Sequence, residues 1–197
     1  MLAFIYDGDA YIYLQYSGDG LDSAVSLDSA ILEPDSNTKY YCYFKQGQNA
    51  GLVDGVQLTG QTSGAVIKAK KIITSAGAVG TSDATGVMFY DKVSGTVVSG
   101  ENLRVSTTTY AVSASKQLDA PVGRKARAIL LTVETNSIRF TQSGVSPTSS
   151  TGTPASFGHL ILDTGSVTIS GYKNVRDFKM INAVAASNAV ANLTIYY

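Results

Sequence analysis

Residues 60–105 read GQTSGAVIKAKKIITSAGAVGTSDATGVMFYDKVSGTVVSGENLRV, and this stretch decides the fold class. It holds two runs rich in β-branched and aromatic residues, AVIKAKKIIT and GVMFYDKV, each closed by small residues and glycine. Runs of this kind, bounded by turn-forming residues, are typical of β-strands. Neither run carries an obvious catalytic side chain, so the pattern predicts a framework rather than a reaction centre.

The same pattern continues on both sides of this stretch. Short segments rich in β-branched or aromatic residues recur between Gly, Asp, Asn and Ser, a spacing that fits an antiparallel sandwich or barrel. The segments are AYIYLQY (10–16), KYYCYFK (39–45), GVQLTG (55–60), TYAVSAS (109–115), ARAILLTV (126–133), SIRFTQ (137–142), HLILD (159–163), SVTIS (166–170), FKMIN (178–182) and ANLTIYY (191–197). We therefore predict an all-β fold with two antiparallel β-sandwich or barrel-like units and an N-terminal β extension.

The pattern also predicts the two faces of the first strand and the positions of one helical turn and one loop. In AYIYLQY, alternation places Tyr11, Tyr13 and Gln15 on one face of the strand and the intervening apolar residues on the other. In GYKNVRDFKMI (171–181), a single helical turn is expected around residues 174–178, with Val175 and Phe178 facing inward. The alanine-rich residues 182–192 are expected to form a loop because asparagines interrupt them.

Breaker residues suggest where the chain divides. QGQNAG (46–51) predicts a hinge, and SASKQLDAPVGRKA (113–126) predicts a linker. The predicted regions are an N-terminal β region that anchors the protein (1–48), a middle β unit (49–115) and a C-terminal β-sandwich (116–197). Within the last, the Ser, Thr, Gly and Pro-rich residues 142–158 predict a long exposed loop.

Composition limits the class of function. The chain has 197 residues, 15% of them charged, and a formal net charge of zero. Low charge suits a subunit packed against others and argues against nucleic acid as a partner, because phosphate binding needs an excess of Lys and Arg. The start MLAFIYDGD lacks the basic region of a signal peptide and reaches an Asp at residue 7, and no apolar stretch is long enough to span a membrane. We expect a protein made in the cytoplasm, with no membrane partner.

Nucleophilic catalysis has little support. Cys42 is the single cysteine, so no intrachain disulfide can form, and its aromatic surroundings predict a small buried hydrophobe. His159 is the single histidine and starts an apolar segment, which predicts a strand-edge or interface position. Asp163 lies four residues further on, too far for a close hydrogen bond within a strand. No catalytic residue is therefore predicted, and the protein is not expected to be an enzyme.

The sequence gives no support for a metal site or for a glycosidase. One cysteine and one histidine do not support a zinc site, and the acidic turns at Asp7–Asp9, Asp19 and Asp22 lack the EF-hand pattern, so turn formation explains them. Glu134, in LLTVETNS, lies on a predicted strand where it could face a groove, but no partner carboxylate for a glycosidase is identifiable. No metal or cofactor is predicted. Because the tyrosines could serve as aromatic platforms, a sugar-binding surface remains an alternative.

Basic residues have two open interpretations. On a strand, Lys68 and Lys70 share one face while Ile67 and Ala69 share the other. The cluster is either a solvated or edge-protecting face, or a contact with an acidic partner subunit. The residues concerned are Lys68, Lys70 and Lys71 in VIKAKKII, and Arg124, Lys125 and Arg127 in VGRKARA.

The middle stretch resembles a β-strand module common in structural proteins of tailed bacteriophages. The matching positions are the turn Thr62-Ser63-Gly64-Ala65, the strand at residues 84–89, Val93-Ser94-Gly95 and Gly100-Glu101. Asn102 departs from the pattern, which more often has Thr or an apolar residue there. Residues 126–197 resemble a second such module, found in small β-sandwich proteins encoded among phage capsid and tail genes. Its frame is a strand ending in LTVE, the triplet IRF and a C-terminal LTIYY.

These resemblances imply a structural virion protein of a tailed phage, assembled in the host cytoplasm. The first expectation is a capsid decoration or cement protein that binds the major capsid protein or other virion subunits as a homo-oligomer, a dimer or trimer. A neck, collar, head-fibre or tail accessory protein is the first alternative. A carbohydrate-binding adsorption module is the second.

Overall fold

The computed structural model describes residues 11–17, 21–149, 157–185 and 187–197. Its strands pair in antiparallel fashion in three sheets, and the helices of the described residues are two short turns. The predicted all-β, sandwich-like class is therefore confirmed.

The first sheet joins the two ends of the chain. Its strand order is β1, β15, β10, β13, with β1 at one edge. Tyr11 pairs with Tyr196 and Ser17 with Val190, so the whole length of β1 lies against β15. The strands are β1 (Tyr11–Ser17), β10 (Ala128–Thr135), β13 (Ser166–Ser170) and β15 (Val190–Tyr196).

The second sheet packs on the first and completes a sandwich. Its strand order is β12, β11, β14, β2. Alternate residues of both sheets, such as Leu131 and Leu193 from the first and Ile138 and Met180 from the second, are buried in one apolar core. The strands are β2 (Val25–Ser26), β11 (Ile138–Thr141), β12 (His159–Ile161) and β14 (Lys179–Asn182).

The third sheet closes on itself. Its order is β6, β5, β4, β7, β8, β3, β9, and β3 also pairs with β6, so six strands form a closed, barrel-like unit. Cys42, Phe44, Met88 and Tyr90 are among the residues that fill its interior. The strands are β3 (Tyr40–Gly47), β4 (Gln57–Gly60), β5 (Val66–Ala76), β6 (Ala84–Ser94), β7 (Asn102–Val105), β8 (Thr108–Ser113) and β9 (Leu118–Asp119).

The closed sheet and the sandwich share a core. Tyr41, Val87 and Phe89 lie on the outer side of the closed sheet, because their neighbours in β3 and β6 point into its interior. All three belong to the same buried cluster as Ile12 and Leu193 of the first sheet. The two units are therefore joined by apolar packing, which resists separation more than a polar linker does.

Two short helices complete the sandwich core. Helix α1 (Ser29–Leu32) is capped by the Asp28 side chain, which accepts from the Ala30 N–H at 2.9 Å, and it buries Ile31 and Leu32. Helix α2 (Tyr172–Arg176) confirms the predicted single turn, since Val175 and Phe178 are both buried. The loop predicted at residues 182–192 is shorter than expected, because Asn182 ends β14 and Val190 begins β15; Ala186 lies outside the described residues.

Strand pairing divides the chain differently from the predicted boundaries. The N-terminal region is shared between two units, because β1, β2 and α1 complete the sandwich while β3 belongs to the closed sheet. Residues 46–51, the predicted hinge, connect β3 with β4 inside that closed sheet, and β9 lies within the predicted linker. The physical reason is that alternation identifies a strand but not its partner, and here the partners are far apart in sequence.

Candidate functional site

The outer surface of the first sheet carries tyrosines in a polar setting. Along β1, Tyr11, Tyr13 and Gln15 point outward while the residues between them are buried, which confirms the predicted alternation. The exposed fraction is 60% for Tyr11 and 40% for Tyr13. The tyrosine face is defined by these side chains and their outward neighbours on β15 and β10: Tyr11, Tyr13, Gln15, Asn192, Thr194, Tyr196, Thr132 and Glu134.

Asn192 organises this face. Its side chain is only 7% exposed although it lies on the outer side of β15. Its Oδ1 accepts from the Tyr13 hydroxyl at 2.5 Å and from Gln15 Nε2 at 3.0 Å, and its Nδ2 donates to Glu134 Oε1 at 2.6 Å. Each of the three partners is thereby held in one orientation, as in a pre-formed binding surface.

A β-bulge places Glu134 in this network. The register of β10 on β15 shifts between Val133 and Thr135, which leaves Glu134 as the extra residue. Bulges redirect a side chain locally, and here the Glu134 carboxylate reaches Asn192. Partial burial and then the nearby Glu134 charge raise the pKa of Tyr13, so its hydroxyl keeps its proton and remains a donor.

The motif behind the phage resemblance forms a structural centre in the closed sheet. The buried Glu101 carboxylate accepts the backbone N–H groups of Thr62 at 3.1 Å, Ser63 at 2.9 Å and Val98 at 2.8 Å. A Cβ on Gly60 would lie 2.5 Å from Glu101 Oε2. Glu101 therefore holds two turns together, and its charge is satisfied by backbone donors.

Cys42 and His159 lie in different sheets of the structure. Cys42 is fully buried inside the closed sheet, and burial raises the pKa of its thiol to about 12, so it is the small hydrophobe that its sequence predicted. His159 starts β12, the end strand of the second sheet, with its ring 5.1 Å from that of Phe140. The strand-edge position of His159 is confirmed, and Asp163 is exposed beyond the same strand.

The lysine cluster is paired within the chain. Lys70 lies 2.7 Å from Asp91, and Lys71 lies 3.4 Å from both Asp28 and Asp54. Because β5 has a bulge between Ala69 and Lys71, Lys71 reaches carboxylates that regular alternation would not bring to it. These two ammonium groups already have acidic partners, and Lys68 is left exposed on the same strand.

The second basic cluster lies near a surface groove of about 830 Å³ whose walls include Glu33 and Lys71. Lys125 Nζ contacts Glu33 Oε1 at 2.7 Å and lies 4.9 Å from the centre of the Tyr172 ring. Hydrogen bonds from Lys125 and Tyr172 lower the pKa of Glu33. The Glu33 carboxylate on the wall of the groove is therefore paired within the chain.

The acidic turns gather no metal site in the described part of the chain. Asp7, Asp9 and Asp19 lie outside the described residues, while Asp22 accepts from Asn182 Nδ2 at 2.9 Å. Within residues 11–17, 21–149, 157–185 and 187–197, no group of three or more His, Cys, Asp or Glu is placed to hold a metal ion. The helices among these residues are too short to cross a membrane.

Half of the residues of the tyrosine face could be identified from the sequence. Alternation in AYIYLQY put Tyr11, Tyr13 and Gln15 on one side, and Glu134 was singled out on its strand. Asn192 was missed because nothing in ANLTIYY distinguishes it until β15 is known to lie between β1 and β10. Comparison with known proteins adds no further residue: no family model, curated protein or solved structure matches this chain.

Proposed function

We propose that this chain is a non-enzymatic structural component of a tailed-phage virion, in the first place a capsid decoration or cement protein. The support from sequence is the resemblance of residues 60–105 and 126–197 to β-modules of phage structural proteins. The support from structure is a framework of sheets in which the turns joined by Glu101 build the fold and leave the surface available for contacts.

The observation that carries the proposal is the apolar margin of the second sheet. In the described residues β12 has a strand partner on one side only. Leu160 is 46% exposed and Leu162, just after the strand, is 64% exposed, while Ile161 between them points into the core. An exposed strand edge with apolar side chains is a natural place for a neighbouring chain to add a strand or pack a side chain.

The proposed partner of this margin is the major capsid protein or another virion subunit. Burying the exposed half or so of Leu160 and Leu162 in such a contact would contribute on the order of 1 kcal/mol for each side chain. A shell repeats such a contact many times, and closed symmetry favours a homo-oligomer, which we propose to be a dimer or trimer on the particle. Assembly would take place in the host cytoplasm, without nucleic acid or membrane as a partner.

Particles of a phage that encodes this chain provide the test. Mass spectrometry of purified particles should detect the chain, and a particle reconstruction should place it on the head. Density at the neck, collar, head fibre or tail would instead support the accessory-protein alternative. Absence of the chain from purified particles would overturn the proposal as a whole.

Matched variants test the apolar margin. The double variant Leu160→Asp/Leu162→Asp places charges at two exposed positions and should leave the fold intact while preventing incorporation into particles. Val93→Asp is the control, because Val93 is 61% exposed but lies on β6 of the closed sheet. Incorporation of the double variant at the wild-type level would show that this margin is not the contact.

A further inference from the structure

The tyrosine face has features that the structural role does not use. Tyr11 and Tyr13 lie two residues apart on one side of β1, which places them about 7 Å apart along the strand and leaves both rings open to solvent. Aromatic rings in a row at this spacing can lie beneath consecutive rings of a chain-like ligand. The electron-rich ring face suits the C–H groups of such a ligand.

Beside these rings stand polar atoms in fixed positions. Asn192 holds the Tyr13 hydroxyl, the Gln15 amide and Glu134 Oε1, so none of them has to be ordered on binding. The second carboxylate oxygen of Glu134 has no hydrogen-bond partner within the described residues and remains an acceptor. Gln15 is exposed and offers both a donor and an acceptor.

The charge of the face selects the chemistry of the ligand. Among the outward residues of the four strands, Glu134 is the one charged group, and the rest are hydroxyl, amide or apolar side chains. The far strand, β13, adds a row of exposed hydroxyl groups from Ser166, Thr168 and Ser170. A lone carboxylate repels phosphate, sulfate and carboxylate ligands but accepts hydrogen bonds from neutral hydroxyl groups.

We propose that the tyrosine face binds a neutral oligosaccharide. Tyr11 and Tyr13 stack on sugar rings, Glu134 accepts from sugar hydroxyl groups, and Gln15 donates to or accepts from the neighbouring sugar. This binding is independent of the contact proposed for the second sheet, since the two lie on different sheets of the sandwich.

A glycan array carrying neutral and acidic oligosaccharides, probed with the full chain, is the first test. Neutral hexose or N-acetylhexosamine oligomers should bind, and sulfated or sialylated ones should not. The best array member is then titrated into isotopically labelled protein, where amide shifts should be confined to β1, β15 and β10. Absence of binding to every neutral member, or shifts confined to another surface, would overturn the proposal.

Three variants separate this site from general surface effects. Glu134→Gln keeps an oxygen for Asn192 while removing the charge, and it should weaken binding by about tenfold because a hydrogen bond to a charged group is lost. Tyr11→Ala removes an exposed ring and should weaken binding by a similar factor. Phe157→Ala removes an exposed ring elsewhere and should leave affinity unchanged. Equal affinity of Glu134→Gln and the wild-type chain would contradict the assigned role of the carboxylate.

Discussion

The hydroxyl of Tyr43 accepts a hydrogen bond from the backbone N–H of Tyr13 at 2.8 Å. Tyr43 lies on β3 of the closed sheet, and Tyr13 lies on β1, the edge strand of the first sheet. Tyr41 makes a second contact with the same strand, because its hydroxyl donates to the Tyr11 carbonyl at 3.4 Å. The tyrosines of KYYCYF therefore cover the free edge of β1, which would otherwise be open to pairing with another chain.

Loss of this contact should weaken the junction between the two units. Tyr43→Phe removes the acceptor for the Tyr13 N–H, and we expect the free energy of unfolding to fall by about 1 kcal/mol, the usual net value of one hydrogen bond. Urea denaturation measures this change. Tyr40→Phe is the matched control on the same strand, and it should cost less than about 0.5 kcal/mol. Equal losses in both variants would show that the hydroxyl of Tyr43 has no special part in the junction.

The buried carboxylate of Glu101 gives a second prediction. In Glu101→Gln, one side-chain oxygen becomes an NH₂ group that must face either the Thr62 and Ser63 N–H groups or that of Val98. Donors then oppose donors in a buried site, and we expect a loss of about 2–3 kcal/mol in the free energy of unfolding. Glu134→Gln, where one amide contact can persist, is the control and should change stability by less than about 0.5 kcal/mol. A Glu101→Gln protein as stable as that control would contradict the structural role of the Glu101 carboxylate.

Much of the fold followed from local pattern, whereas the site depended on pairing. Alternation and turn residues located most strands, and Val175 and Phe178 were correctly assigned to the core. The closure of β3 on β6 and the position of Asn192 between Tyr13 and Glu134 arise from contacts between distant segments. Such contacts leave no signal in a single strand, because the period of two is the same whichever strand lies alongside.

Alkaline pH should unfold the protein cooperatively. Burial raises the pKa of Tyr16, Tyr41, Tyr90 and Tyr197 well above the ordinary value of 10.0. A folded-state pKa above the unfolded one means that the unfolded chain releases its proton first, so this stabilisation is complete below about pH 10 and is lost as the pH rises further. In a pH titration, the ionisation of these four buried tyrosines should coincide with the loss of far-ultraviolet circular dichroism, as a step in tyrosinate absorbance separate from that of the exposed tyrosines.

Tyr16→Phe isolates one of these hydroxyl groups. Tyr16 is buried on the inner side of β1, where Phe keeps the ring and removes the titrating proton. The variant should unfold at higher pH than the wild-type chain, or with a shallower dependence on pH, because one proton fewer is released. Ionisation of all the tyrosines of the wild-type chain well before the loss of circular dichroism would show that the buried side chains are more accessible than their burial indicates.

The last prediction concerns what the N-terminal segment contributes. Residues 11–32 complete the sandwich core, so the C-terminal region is not expected to fold by itself. Besides Tyr41, Val87 and Phe89 of the closed sheet, a fragment of residues 113–197 lacks seven buried apolar side chains of this segment: Ile12, Leu14, Tyr16, Leu21, Leu27, Ile31 and Leu32. At about 1.5–3 kcal/mol for each, the loss is comparable to the whole stability of a domain, on the order of 5–15 kcal/mol. We expect this fragment not to unfold cooperatively.

Rearranging the chain distinguishes a missing core from a fragment that is merely short. Because Tyr11 pairs with Tyr196 in antiparallel β1 and β15, a short glycine-containing turn can connect the C-terminus to residue 11 as a hairpin. The chain 113–197 followed by that turn and residues 11–32 should regain a cooperative urea transition, whereas the same chain with Ile12→Asp and Leu14→Asp should not. Cooperative unfolding of residues 113–197 by themselves would mean that β1 and α1 only cover a sandwich that is already stable, and the N-terminal segment would then be free to act as the anchor that its sequence first suggested.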